Sequence, residues 1–127
     1  MCGIIGYVGQ RECKPLLLQG LERLEYRGYD SAGIALLEAH GLEYVRAVGP
    51  LGNLKERAGT NGSTATTGLG HTRWATHGGV TEANAHPLAG CEASKLSIVL
   101  NGIVENSREL TESLVVDGHT FTSEKDD

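Results

Sequence analysis

The sequence has no apolar run near the roughly 20 residues that cross a bilayer. Its start lacks a charged segment followed by an apolar one, so neither a transmembrane helix nor a secretory leader is expected. It has no Lys/Arg cluster and a net charge of -5, which leaves out the basic stripe of a nucleic-acid binder. Cysteine is sparse. Cys2, Cys13 and Cys91 are odd in number and widely spaced, which suits neither a disulfide framework nor a zinc knuckle. Reduced thiols in a cytoplasmic protein are the expectation. Aromatic residues are only 5%, whereas 18 of the 127 residues are glycine, a sign of many tight turns or close backbone approaches. Hydrophobic residues at 39% and charged residues at 21% give a globular balance, and the length suits one domain.

Periodicity lays out the elements. Cys2 to Gly9 is short, apolar and closed by glycine, which predicts a buried strand. From Lys14 to about Tyr26, Leu17, Leu21 and Leu24 follow helical spacing, with Pro15 suited to the first turn. Gly20 inside that helix costs roughly 1 kcal/mol relative to alanine and marks close packing against a neighbour. Ser31–Leu37 and Leu42–Val48 read as strands of a hairpin turning at His40-Gly41. A short helix over Leu51–Ala58, a surface loop over Gly59–Thr67, a strand over Leu69–Trp74 and a loop to Pro87 follow. Leu96–Leu100 reads as a strand. Asn106 with Glu109 resembles a capping box that opens a helix carrying Leu110 and Leu114 on one face and ending at Gly118. His119–Thr122 begins another strand. Interspersed hairpins and helices predict a mainly antiparallel α+β fold.

Four segments carry chemistry. The small residue after Met1 permits removal of that methionine, which makes Cys2 the first residue of the mature chain. A thiol that titrates near 8.5 and an α-amine that titrates near 8 in model peptides then share one residue. Such an amine serves as base to its own side-chain nucleophile, and the thiolate is the form that attacks an amide carbon. On position alone, the reading of Cys2 as a small buried hydrophobe outweighs that of a nucleophile. Arg27 and Asp30 beside Gly28 mark a shaped loop, or a polar turn with a local ion pair. His71-Thr72-Arg73-Trp74-Ala75-Thr76-His77, followed by Asn84-Ala85-His86-Pro87, puts a guanidinium for a carboxylate at a strand end. The histidines His71 and His77 lack a carboxylate or cysteine at the spacing a metal site uses, so substrate-binding or structural roles are expected and no metal. Asn101-Gly102 supplies an amide and an N–H suited to an oxyanion hole, or simply a hairpin turn.

Taken in order, Cys2-Gly3-Ile4-Ile5-Gly6, the Arg27-Gly28 loop, His71-Thr72-Arg73 and Asn101-Gly102 resemble the class II glutamine amidotransferases, a family of N-terminal-nucleophile hydrolases. The resemblance covers essentially the whole chain, from Cys2 to Asp126. Two blocks, Tyr26 to Gly33 and His71 to Gly78, resemble the branch of that family whose full-length enzymes convert fructose 6-phosphate to glucosamine 6-phosphate. The resemblance implies a four-layer αββα sandwich of two mainly antiparallel sheets between helices. It implies L-glutamine as substrate and no cofactor. Cys2 would form a γ-glutamyl thioester, with the Asn101 amide and the Gly102 N–H holding the oxyanion. Arg73 would pair with the glutamine α-carboxylate, supported by Thr76 and His77. Trp74 would close over glutamine, Arg27 would lie in the loop beside Cys2, and Asp126 would bind the α-amino group. Leu100 stands where the family has histidine, and Ser123-Glu124-Lys125-Asp126-Asp127 departs from its Ser-Glu-Thr-Asp-Thr-Glu.

Residues 1–127 are accordingly expected to be the N-terminal portion of the amidotransferase domain, with its sheets incomplete. Fructose 6-phosphate would be met only through sugar-isomerase domains absent from this chain, and full-length relatives would be homo-oligomers. Two competing expectations are a non-catalytic fragment that needs a partner chain and an N-terminal-nucleophile hydrolase acting on another amide.

Overall fold

The computed structural model describes residues 1–59, 62–75 and 78–123. The first strand, β1 (Gly3–Val8), is followed by helix α1 (Cys13–Leu24), a 3-10 turn over Glu25–Arg27, and the hairpin β2 (Ser31–Glu38) and β3 (Gly41–Val48). Helix α2 (Leu51–Ala58) leads to β4 (Thr67–Arg73), the short strands β5 (Leu88–Ala89) and β6 (Ser97–Ile98), and helix α3 (Ser107–Val116). A four-stranded antiparallel sheet runs in the order β1-β4-β2-β3, and β5 pairs with β6.

The two faces of the large sheet differ. Pairing Gly3 with Thr72, Ala32 with Thr72 and Ala32 with Ala47 sets one alternating row toward the helices. Ala32, Ile34, Leu36 and Ala47 of that row join Leu17, Leu21, Leu51 and Leu54 in the buried core. β4 contributes glycines to this face. A Cβ at Gly68 would stand 2.8 Å from Leu17 Cδ1, and one at Gly70 would stand 2.8 Å from Ile5 Cγ2. The glycines let α1 settle onto the sheet. Gly20 does the same from the helix side, where a Cβ would fall 1.9 Å from Ile5 Cδ1, so the expected close approach is present. Leu21 fills this contact and is fully buried. Leu21→Ala is therefore expected to cost about 2–5 kcal/mol, read as a lower urea midpoint at constant slope.

The opposite face carries Cys2, Ile4, Gly6 and Val8 in line with Arg73, His71, Leu69 and Thr67, beside Ser31, Gly33, Ala35 and Leu37 of β2. Residues 84–98 cover it in part. A Cβ at Gly33 would lie 2.1 Å from the His86 carbonyl oxygen, and Tyr44 donates its hydroxyl hydrogen to Ala93 O or Leu96 O, each 2.9 Å away. Ile4, Leu37, Leu96 and Ile98 stay substantially exposed there.

Helix α2 follows the expected span. Leu51, Leu54 and Ala58 are its buried stripe, and Gly59 (φ 68°) closes it by donating to Lys55 O and Glu56 O. Several expectations change. β1 is an edge strand buried on alternate residues, not wholly, because Gly3, Ile5 and Tyr7 face the helix layer while Ile4, Gly6 and Val8 face the side left open. The hairpin turn is Ala39-His40, and Gly41 already pairs with Glu38. The strand near residue 98 shrinks to Ser97–Ile98, since its partner β5 has only two residues. Asn106 makes no side-chain capping bond: its φ of -101° and ψ of 29° lie outside the extended region that aims a cap at the first turn. His119–Thr122 is irregular, with no strand beside it to pair with among the described residues. The Gly59–Thr67 loop is irregular up to Thr66 where described, while Thr60 and Asn61 lie outside the described residues. Among the described residues the αββα arrangement is represented by one helix layer, the large sheet and the small β5-β6 sheet.

Candidate active site

Cys2 sits where β1 begins and β4 ends. Gly3 donates its N–H to Thr72 Oγ1 (3.1 Å, buried), and continuing the register one step sets Cys2 opposite Arg73. Trp74 donates its backbone N–H to Cys2 Sγ at 3.3 Å, and the sulfur lies 3.8 Å from Trp74 O. A fixed N–H aimed at sulfur is a contact that a thiolate accepts more strongly than a thiol.

The Arg27 loop wraps the same corner. Arg27 O accepts from the Met1 amino group at 3.2 Å, and the Arg27 guanidinium reaches Met1 Sδ. Gly28 has φ 77°, and a Cβ there would come 3.2 Å from the Trp74 ring, so glycine lets the indole lie on this loop. Asp30 fastens three segments. Its N–H donates to Arg73 O (2.8 Å), its Oδ2 accepts from Ala75 N–H (2.7 Å), and its carbonyl accepts from Gly49 N–H (2.9 Å). The sequence marks Asp30 only as part of a polar turn; its neighbour is the end of β4 rather than a local cation. Asp30 Oδ1 and Ser31 Oγ are buried and make no hydrogen bond among the described residues.

Arg73 is 2% exposed, and its Nη1 donates to Gly79 O at 3.0 Å; Asn84 Nδ2 donates to the same carbonyl at 3.0 Å. Trp74 is half exposed. The structure thus brings Cys2, Arg27, Arg73 and Trp74 to one corner. Asn101 and Gly102 are exposed, and no hydrogen bond among the described residues links them to Cys2. Thr76, His77 and Asp126 lie outside the described residues. His71, considered above beside His77, is buried in β4 and stacks on His86.

The other thiols differ from Cys2 in setting. Cys13 lies in the core, where burial pushes its thiol above the ordinary value. Cys91 is exposed and within 3.1 Å of His119 Nδ1; that hydrogen bond draws its thiol below the ordinary value. A cavity of about 460 Å³ lined by Val8, Leu37, Leu42 and Leu96 lies at the far end of the sheet from Cys2. No helix among the described residues is long and apolar enough to cross a membrane.

The fold of this corner and sheet is that of the N-terminal-nucleophile glutamine amidotransferases. The B. subtilis glutamine phosphoribosylpyrophosphate amidotransferase complexed with ADP and GMP superposes with a TM-score of 0.77 over 95% of this chain and 26% of its own, at 24% identity. A structure described as the allosteric regulatory enzyme of purine biosynthesis gives 0.77 over 97% of this chain and 27% of its own, at 26% identity. No family model matches the chain. In sequence, the chain is 54% identical over 127 residues to glutamine–fructose-6-phosphate aminotransferase [isomerizing] of Gloeobacter violaceus, covering 99% of this chain and 21% of that protein. A Thermus thermophilus protein of the same name is 52% identical over 126 residues, with 99% and 21% covered. By sequence the chain is similar to the N-terminal region of glutamine–fructose-6-phosphate aminotransferase, and by fold to the N-terminal-nucleophile amidotransferases. It spans about a fifth of the length of those curated relatives.

Proposed function

We propose that this chain carries the glutamine-hydrolysing site of an amino-sugar-forming amidotransferase, with Cys2 as nucleophile. The observation that carries the reading is the Cys2 sulfur just before β1, facing the Trp74 N–H at 3.3 Å and opposite Arg73 by continuation of the β1–β4 register. Removal of Met1 frees the Cys2 α-amine, which takes the thiol proton directly or through a water. The thiolate attacks the side-chain amide carbon of glutamine. The Asn101 amide and the Gly102 N–H hold the oxyanion that forms. The α-ammonium returns the proton to the departing nitrogen and ammonia leaves. Water then cleaves the γ-glutamyl thioester, releasing glutamate and restoring the thiol.

The glutamine α-carboxylate replaces Gly79 O as acceptor for Arg73, whose planar fork suits a carboxylate. Thr76 and His77 support that pair, and Asp126 takes the α-amino group. Trp74 shields the reacting amide, while Arg27 shapes the loop beside Cys2. The ammonia serves conversion of fructose 6-phosphate to glucosamine 6-phosphate by sugar-isomerase domains outside residues 1–127, in a cytoplasmic homo-oligomer.

The exposed apolar face with Ile4, Leu37, Leu96 and Ile98 favours a second reading, in which the site is completed only against further protein laid over that face. Glutamate release from L-glutamine by the purified chain tests both. Release favours the first reading. A soluble but inactive chain that gains activity with a full-length relative lacking its own nucleophile favours the second.

A further inference from the structure

We propose that His86 is a positioning residue for the oxyanion donors, acting through the backbone of Leu100; the inference rests on the glutaminase reading above. His86 and His71 are both fully buried and stack with ring centroids 4.3 Å apart and planes 21° apart. His71 belongs to β4, two residues before Arg73 and opposite both Ile4 and Gly33 in register. The stack therefore fixes His86 against the strand that presents Arg73 and the Trp74 N–H to the nucleophile. Backbone geometry locks the other side. The His86 carbonyl occupies the space where a Gly33 side chain would begin, at 2.1 Å from its Cβ position. Two residues earlier, buried Asn84 anchors the same segment: its N–H donates to Thr81 Oγ1 (3.2 Å) and its side-chain amide to Gly79 O (3.0 Å).

From this anchored ring, Nδ1 accepts the Leu100 N–H at 3.2 Å. Leu100 is covalently next to Asn101. Strand β6 has ended at Ile98, and among the described residues this is the only loop or side-chain hydrogen bond made by residues 100–103. One acceptor atom thus ties the segment bearing the Asn101 amide and the Gly102 N–H to the strand bearing Cys2's neighbours. An acceptor at Nδ1 requires the ring proton on Nε2.

The chemistry of that atom sets the test. Asparagine places its Oδ1 near the position of Nδ1 and accepts in its stead, whereas glutamine places its oxygen near Nε2 and alanine offers none. In glutamate-release assays, His86→Ala is expected to lower kcat by about 10- to 100-fold with KM held within about twofold, since misplacing reacting groups by about 1 Å carries a penalty of that order. His86→Asn is expected to recover most of the loss and His86→Gln to recover little. Amide hydrogen exchange at Leu100 is expected to be slow in the wild type and His86→Asn and fast in His86→Ala and His86→Gln. If His86→Ala fails to melt cooperatively, the comparison of Asn with Gln decides. Wild-type kcat in His86→Ala, equal kcat in Asn and Gln variants, or a change confined to KM would overturn the proposal. If the wild type releases no glutamate, the glutaminase reading of this chain fails separately, and exchange at Leu100 decides: recovery in Asn alone keeps the tether, equal protection in Asn and Gln removes it.

Discussion

Replacing Cys2 with alanine is expected to end glutamate release, lowering kcat by about 10⁴-fold or more while the melting midpoint stays close to the wild type. Loss of a nucleophile in a hydrolase that works through a covalent intermediate has consequences of that order. The structure explains why the fold should survive. Cys2 lies just outside β1, and the hydrogen bonds of its sulfur among the described residues go to the backbone of Trp74 alone. The pairing of β1 with β4 begins at Gly3, whose N–H uses Thr72 Oγ1 rather than anything on Cys2. A companion variant keeps the thiol and removes the base. Inserting a bulky residue between Met1 and Cys2 blocks methionine removal and leaves the Cys2 nitrogen as an amide, which accepts no proton near neutral pH. Its glutamate release is expected to fall as far as that of Cys2→Ala. The pair is read by coupled glutamate assay, thermal melt and intact mass. An inserted variant that retains wild-type turnover would assign the proton to another base.

Asn101→Ala is expected to lower kcat by about 10²- to 10³-fold with little change in KM, the signature of a donor used mainly in the transition state. This position gives an unusually clean reading, because Asn101 is exposed and makes no hydrogen bond among the described residues. Its truncation removes no contact that holds the fold, so a fall in kcat reports on the reaction. A parallel rise in KM would instead make Asn101 a ground-state contact to glutamine. Steady-state kinetics on glutamine separates the two.

Local patterns carried much of the fold. The helix over Leu51–Ala58 was legible because its apolar residues keep a helical spacing and a glycine follows. Gly20 stood out as a glycine inside a helical run, and it touches Ile5 as such a break implies. What was not legible depends on partners distant in the chain. His119–Thr122 has the composition of a strand, but a strand requires a neighbour to receive its hydrogen bonds. Leu96–Leu100 is apolar for most of its length, yet a two-residue partner limits its pairing to Ser97 and Ile98. The capping box at Asn106 failed on a backbone angle that residue identity does not set.

The same division applies to the site. Chemistry named Cys2, Arg73 and Trp74, whereas their meeting follows from the β1–β4 register. Asp30 gave little signal, because its role is to clasp Arg73 and Ala75, more than 40 residues away. His86 stood in a segment marked as unusual but had no evident task until its ring was found between His71 and Leu100.

The most direct test of Cys2 as nucleophile is acid quenching during glutamine turnover, followed by peptide mass mapping. Mapping by peptide is necessary because Cys91, beside His119, competes for generic thiol reagents. The expected result is a γ-glutamyl adduct confined to an N-terminal peptide that begins at Cys2, absent in Cys2→Ala and discharged by hydroxylamine. Glutamate release without any adduct at Cys2, or with the adduct on a peptide that retains Met1, would contradict the proposed chemistry.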